Sequence, residues 1–322
     1  MIGLSAVYAL AGLMFAAIAL LSAADRTNAR RWRNTAFWGL FAVSFLGGDA
    51  LGDLGNGVLV LVMVAVAGLG GLGQSGLGKG SPVTTTLPER EASAARLGDR
   101  LFLPALAIPV VTLMGTLTLK GVMLHGQPLV DPKQVTQISL GLGVLVALAL
   151  ALPMLRPPPL APLQEARRLA DTVGWAMLLP QTLAALGAVF ALTGVGKVVG
   201  DLAATYLPLG TPFAAVCAYT FGMAAFTMVM GNAFAAFPVM TAAIGLPLVV
   251  QRFGGDPTVM GAIGMLSGFC GTLLTPMAAN FNIVPTALLD LDRNAVIRAQ
   301  APTAVILLIV NTGLMYVFAF HH

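Results

Sequence analysis

The polar residues that could bind a small solute are concentrated in two apolar stretches near the end of the chain. The first is GMAAFTMVMGNAFAAFPVMTAAIGLP, residues 222–247, and the second is GTLLTPMAANFNIVPTALL, residues 271–289. Both stretches contain asparagine, threonine and proline. Because a proline removes a backbone donor and crowds the preceding turn, helices in these stretches are expected to be interrupted. The freed backbone groups must then be buried in protein or line a wet cavity.

Interrupted helices of this kind are typical of binding sites in secondary transporters. The amino termini of half-helices hold anions, and open carbonyl groups hold cations. A purely structural role, in which the asparagines hydrogen-bond neighbouring helices, is the alternative. The residues expected to bind substrate or ion are Gly231, Asn232, Gly271, Thr272, Thr275, Asn280 and Asn282. The prolines expected to break the helices are Pro238, Pro276 and Pro285.

The composition places these residues in a membrane. Charged residues make up 9% of the chain and hydrophobic residues 57%, and the mean hydropathy is +0.88. A soluble all-α protein of 322 residues would need more charge to cover its surface. Apolar blocks recur at the length that crosses a bilayer, so the sequence predicts an all-α integral membrane protein with about 8–10 membrane-embedded segments.

The apolar blocks define the predicted spans. Seven of them are 2–22, 36–54, 56–74, 101–122, 135–154, 169–193 and 301–320. The other two apolar regions are longer. We interpret the first as a re-entrant hairpin over 213–250, because the turn GNAFAAFP carries no charge. We interpret the second as an interrupted helix over 257–291, because Pro276 and Pro285 break it. The whole chain, 1–322, is then a single polytopic domain, with N-terminal helices over 1–155 and a C-terminal part over 164–322.

The basic residues predict how the chain is oriented. If the spans alternate, thirteen of the 17 Lys and Arg residues lie on one face, in the loops after the first, third and fifth spans and before the last. The other face carries Lys120, Lys133, Lys197 and Arg252. Positive charge favours the cytoplasmic side. We therefore expect loops 23–35, 75–100 and 156–168 in the cytoplasm and both termini outside.

Other patterns do not favour an enzyme. GLGGLG, residues 68–73, matches a dinucleotide-binding pattern, but it follows a membrane span, which favours close helix packing. Ser267 in GMLSG would need a base to become a nucleophile, and the three histidines lie outside the spans. Cys217 and Cys270 show no metal-ligand spacing, so no metal and no organic cofactor are expected. Basic residues confined to short loops do not indicate nucleic acid.

Aspartates near the spans are a separate signal. Asp49 and Asp53 lie in GGDALGDLGNG at the end of a predicted span. Carboxylates in or near a span are costly and tend to mark ion or proton pathways, so these two are candidates for ion coupling. A solvated outer turn is the alternative interpretation. Asp171 follows two arginines and is interpreted as an interfacial charge.

Five segments of the chain resemble the domain-of-unknown-function 979 family. They are AFWGLFAVSFLGGD, GWAMLLPQTLAALGAVF, MVMGNAFAAFPVMTAAIGLPLVV, GMLSGFCGTLLTPMAANFNIVPTALL and IRAQAPTAVILL. The resemblance implies one subunit of a bacterial two-subunit transporter for 5-oxoproline (pyroglutamate). The implied partner is a second small membrane protein of the domain-of-unknown-function 969 family.

The arrangement of hairpin, interrupted helix and final span also looks like half of the ion-transporter-superfamily fold. That fold has two inverted repeats, and each supplies one hairpin and one broken helix. The sequence shows such a pair once, in its C-terminal third. The resemblance therefore implies that the other half comes from the partner subunit or from a second copy.

The expected function is uptake of a small carboxylate across the bacterial cytoplasmic (inner) membrane. The sequence has no nucleotide-binding loop, so an ion gradient, of Na⁺ or H⁺, is the expected energy source. The lactam of 5-oxoproline offers a donor and an acceptor that match an asparagine amide. The alternative is a scaffold subunit that stabilises a partner permease without transporting anything itself.

The predicted orientation can be tested by cysteine labelling. In a variant without Cys217 and Cys270, cysteines are introduced one at a time at Ser93 and at Lys133. A membrane-impermeant maleimide should label Lys133→Cys in spheroplasts, and Ser93→Cys only after permeabilisation, because positive loops stay in the cytoplasm. Labelling of Ser93→Cys from outside would contradict the orientation.

Overall fold

The computed structural model describes the chain except residues 1–2, 70, 73–85, 125–126, 207–208, 290, 293 and 321–322. Parts of the GLGGLG pattern and of the predicted loop 75–100 therefore lie outside the described residues. The chain folds into two compact units, residues 1–172 and 173–322. Among the described residues, eight helices are long and apolar enough to cross a membrane. This confirms the predicted all-α, multi-pass membrane protein.

The first unit contains six α-helices and a short β-hairpin in its described part. The helices are α1 (Leu4–Ala24), α2 (Arg31–Gly68), α3 (Leu87–Leu97), α4 (Phe102–Thr118), α5 (Val135–Leu155) and α6 (Ala161–Val173). Strands β1 (Met123–Leu124) and β2 (Gln127–Pro128) pair antiparallel between α4 and α5. Phe15 of α1 stacks on Trp38 of α2 with ring centroids 5.8 Å apart.

Helix α2 is a helical hairpin with two apolar arms that meet at Gly52. Its 38 residues would extend about 57 Å if straight, far beyond a bilayer core of about 30 Å. Gly52 interrupts it with φ 61° and ψ −175°, a conformation that glycine adopts without strain. Arg30 Nη1 donates to the Leu72 carbonyl oxygen at 3.4 Å, so the two ends of the hairpin lie side by side. The two arms correspond to the predicted spans 36–54 and 56–74.

An asparagine satisfies the backbone at this interruption. Asn56 Nδ2 donates to the carbonyl oxygens of Gly48 at 2.8 Å and Gly52 at 2.9 Å. In a continuous helix, residues 48 and 56 would be about 12 Å apart along the axis. The contact therefore depends on the reversal of the chain at Gly52.

The second unit has seven further α-helices in its described part, and two of them adjoin a π-helical segment. The elements are α7 (Leu179–Leu192), α8 (Val195–Tyr206), α9 (Pro212–Met230), α10 (Ala233–Met240), α11 (Pro257–Leu273), α12 (Val284–Leu288) and α13 (Ala295–Phe320), with π-helical Thr241–Arg252 after α10 and Ala279–Ile283 before α12. Tyr219, Met223 and Met315 are fully buried in its core.

Helices α9 and α10 form the predicted hairpin, but its depth in the membrane stays a prediction. Pro212–Met230 has 19 residues, and Ala233–Arg252 has 20. Each arm is long enough to cross a bilayer core. Pro238 was expected to break the second arm, yet it lies inside α10, and the helix widens into a π-helix at Thr241. Local π-helical adjustment can satisfy the backbone groups that a membrane proline frees.

A seam of glycines lets α11 approach α9 closely. Its members are Gly264, Gly268 and Gly271. A Cβ at Gly268 would lie 2.6 Å from Met223 Cε, and one at Gly271 would overlap the Ala224 carbonyl oxygen. Small residues at such positions allow dispersion contacts between backbones, which drive helix association in membranes. Gly271 is therefore a packing residue.

Replacement of Gly271 by alanine should destabilise the second unit. The added methyl group meets backbone, which cannot rotate away, so we expect a cost of about 1–3 kcal/mol. Gly261→Ala is the matched control, because a Cβ there lies 3.8 Å from Phe237 Cζ, an ordinary contact. Thermal unfolding in one detergent should show a lower midpoint for Gly271→Ala alone. Equal midpoints would show that the seam is not tightly packed.

Candidate functional site

The first component of the candidate site is the interruption that follows α11. The helix ends at Leu273, and residues 274–278 separate it from the next helical turn. Asn282 is 1% exposed, and its Nδ2 donates to the carbonyl oxygens of Thr272 at 3.0 Å and Thr275 at 2.7 Å. The Thr272 carbonyl belongs to the last turn of α11, which has no helical donors, and the Thr275 carbonyl lies in the following turn, where the Ala278 amide also donates to it at 3.4 Å. The Asn282 amide thus holds the interrupted backbone in place.

The second component is the turn between α9 and α10. Gly231 ends α9 in the left-handed region, with φ 74° and ψ 0°. Asn232 is the N-cap of α10, and its Oδ1 accepts a hydrogen bond from the Phe234 amide at 2.8 Å. Side-chain oxygens at this position replace the missing helical acceptor. The hydrogen bonds of the described residues leave the Asn232 Nδ2 for a ligand.

The two components are in direct contact. Thr275 Oγ1 donates to the Met228 carbonyl oxygen at 2.8 Å. A Cβ at Gly231 would lie 2.7 Å from Met277 Cβ, so glycine is needed for this approach as well as for its φ angle. The turn and the interruption therefore form one continuous region.

A cleft of about 60 Å³ lies where the turn and the interruption meet. This volume holds about four water-sized groups. Its lining is uncharged and consists of Leu179, Leu183, Gly231, Asn232, Ala233, Phe234, Phe269, Thr272, Ala278 and Phe281. Three of the predicted site residues, Gly231, Asn232 and Thr272, are in this lining. The cleft can bind a small polar group between one asparagine amide and apolar walls.

Other predicted site residues lie around the cleft or outside it. Thr275 and Asn282 are buried and hold the backbone. The backbone of Asn280 is π-helical, and its side chain lies outside the described part of the structure. Asp49 and Asp53 are exposed on either side of the Gly52 interruption in the first unit.

The remaining prolines also have defined positions. Pro276 lies in the turn between α11 and the π-helical segment, as expected of a helix breaker. Pro285 is at the start of α12, where the missing amide hydrogen has no helical partner to lose.

Several lining residues were not predicted from the sequence. Leu179 and Leu183 come from α7, and Phe269 and Phe281 flank the interruption. Phe269 packs edge-on against Phe234, with ring centroids 5.8 Å apart. Leucine and phenylalanine in a membrane span give no signal that distinguishes a cleft wall from a lipid-facing surface.

Three buried oxygen atoms near these segments receive no hydrogen bond from the described residues. They are Thr227 Oγ1, Asn282 Oδ1 and Thr286 Oγ1. A buried acceptor without a donor is destabilising by about 1–3 kcal/mol. An N–H group of a ligand or a hard cation such as Na⁺ would satisfy these oxygens.

The fold and this site define a class: a multi-pass helical membrane protein with an interrupted helix packed against a helical hairpin. The family follows from the sequence comparison. The chain belongs to DUF979, a family of proteins of unknown function, whose model matches residues 5–320. No curated protein matches the chain, and no solved structure matches it.

Proposed function

We propose that the chain is one subunit of a secondary transporter that takes up 5-oxoproline or a similar small carboxylate across the bacterial inner membrane. The second subunit is a membrane protein of the domain-of-unknown-function 969 family, and a gradient of Na⁺ or H⁺ drives uptake. The observation that carries this proposal is the uncharged cleft at which the α9–α10 turn meets the interruption after α11. Interrupted helices at membrane depth are characteristic of transporter sites.

The chemistry of the cleft suits a ligand in which a neutral amide group lies next to a carboxylate. Asn232 in the cleft lining presents an amide donor, which the C=O group of a lactam can accept. Asn282 Oδ1 is a buried acceptor on the interrupted segment, outside the cleft lining. The carboxylate would be held by amide hydrogens at the start of α10, where the helix dipole is positive. An anion can be bound in this way without lysine or arginine.

We infer a heteromeric site because the cleft is small, about 60 Å³, and its lining offers few polar groups. In the described part of the chain, one hairpin turn, between α9 and α10, packs against one interrupted segment, the one that follows α11. A second subunit that closes over the cleft would supply the remaining contacts and exclude water.

Coupling to Na⁺ is consistent with neutral oxygens such as Asn282 Oδ1 and Thr227 Oγ1, which are ligands for hard cations. Asp49 and Asp53 remain candidates for coupling.

Uptake of labelled 5-oxoproline tests the function. The chain, its partner and the pair are expressed separately in cells that lack other uptake of this compound. We expect accumulation above background only when both subunits are present, with collapse when the ion gradient is dissipated. Full uptake by the partner alone would instead identify the chain as a scaffold, and no uptake by the pair would reject the substrate.

Substitution of Asn232 tests the site. Serine keeps the helix cap but removes the amide donor, so Asn232→Ser should weaken affinity about 5- to 150-fold, or about 1–3 kcal/mol. Asn232→Asp also keeps the cap, and its negative charge should abolish binding of an anion. Asn311→Ser on α13 is the control, because Asn311 is outside the cleft lining. Affinity is measured on the purified pair. Normal affinity in both Asn232 variants would place the site elsewhere.

A further inference from the structure

A charged cluster in the first unit is almost completely buried. Arg167 of α6 forms an ion pair with Asp25, which directly follows α1, and donates from Nη1 to the Leu21 carbonyl oxygen at 2.8 Å. Its Nε lies 3.8 Å from Asp171 Oδ2. The side chains of Arg167, Asp25 and Asp171 are 10%, 9% and 6% exposed. One guanidinium group therefore serves two buried carboxyl groups.

Helix α2 supplies the neutral part of the cluster. Trp38 Nε1 donates to Asp171 Oδ1 at 2.8 Å, and Asn34 Nδ2 lies 3.4 Å from the same oxygen. Among the residues that the structure describes, none donates a hydrogen bond to Asp171 Oδ2. The charged groups that act on Asp171 are Arg167 of its own helix and Asp25. Asp171 Oδ2 is thus a buried acceptor beside Arg167, which already forms an ion pair with Asp25.

Asp25 is the stronger partner of Arg167. Burial opposes its ionisation, but hydrogen bonds from Thr27 and Arg167 outweigh this effect and hold the pKa of Asp25 below its ordinary value. Thr27 contributes both its hydroxyl group, at 2.6 Å, and its backbone amide, at 3.1 Å. Asp25 therefore keeps its negative charge and neutralises Arg167.

The net charge of the cluster therefore depends on whether Asp171 is ionised. With both carboxyl groups ionised, the cluster has a net charge of −1 in a largely buried environment, which is costly. A cation of the Na⁺ type needs several oxygen ligands, and Asp171 Oδ2 is a single free oxygen. A proton needs only one oxygen. Its addition to Oδ2 makes the cluster neutral and supplies a hydroxyl donor where the ionised group has none.

We propose that the Asp25–Arg167–Asp171 cluster is a proton-binding site and that Asp171 Oδ2 is the atom that binds and releases the proton. Proton binding changes the cluster from a net charge of −1 to 0, with no change at Arg167 or Asp25. The proposal does not depend on the transported solute, because every residue of the cluster lies within residues 1–172 and its protonation can be measured without transport.

Trp38 provides a direct probe of this site. The chain contains three tryptophans, and the other two, Trp32 and Trp175, are 64% and 51% exposed. In the full chain carrying Trp32→Phe and Trp175→Phe, emission reports on Trp38 alone. Protonation of Asp171 weakens the charge-assisted hydrogen bond from the indole. Fluorescence in detergent or lipid nanodiscs should therefore change in a single reversible transition between about pH 4 and about pH 9.

Variants in the same background assign the transition. Asp171→Asn should remove it. Asp25→Asn leaves one carboxylate for Arg167, so the transition should move to lower pH by about one unit or more. Asp99→Asn is the matched control, since Asp99 is exposed just before α4, and it should leave the midpoint unchanged. A transition that persists in Asp171→Asn, or no transition in the folded protein, would overturn the proposal.

An infrared measurement covers the case in which Asp171→Asn does not fold. Acidification of the unmodified protein should produce the C=O stretching band of a buried protonated carboxyl group, and Asp171→Glu should shift its frequency. Absence of such a band over the same pH range would also overturn the proposal.

Discussion

Every backbone amide and carbonyl group that is buried away from water must find a partner, and this constraint shapes the interruption after α11. A single side-chain amide, that of Asn282, donates a hydrogen bond to the Thr272 carbonyl oxygen in the last turn of α11 and to the Thr275 carbonyl oxygen in the turn that follows. The backbone between the helices can therefore remain non-helical without leaving these two carbonyl groups unpaired. The shape of the cleft depends on this arrangement.

Close helix packing makes the arrangement rigid. The glycines of α11 bring it against α9, and Gly231 lets the α9–α10 turn contact Met277. The Thr275 hydroxyl group then reaches the Met228 carbonyl oxygen. Asn232, held by its own hydrogen bond from the Phe234 amide, lies at the edge of the cleft. A ligand that meets a fixed amide loses little binding energy to ordering the protein.

The two units satisfy their buried polar groups in different ways. In the second unit, asparagine and threonine side chains satisfy the interrupted backbone without charge. In the first unit, buried charge is concentrated where α6 meets the ends of α1 and α2, and Arg167 is shared between two carboxyl groups. The contacts of Arg30 with Leu72 and of Arg167 with Asp25 place the segment that follows α1 next to Leu72 and next to α6. The cytoplasmic location of the positive loops stays a prediction.

The sequence by itself determined the class of the protein and the places where helices cannot continue. Low charge and recurring apolar blocks require membrane helices, and Pro276 next to two asparagines indicates an interruption, because these properties are local in the chain. Only the tertiary structure decided which polar groups meet. Asp171 accepts from Trp38, 133 residues away, and Thr275 reaches Met228, 47 residues away. It also decided that Pro238 stays inside a helix and that Gly271 packs against α9. Such outcomes depend on which helices become neighbours, and apolar spans of similar composition do not encode their neighbours in any local pattern.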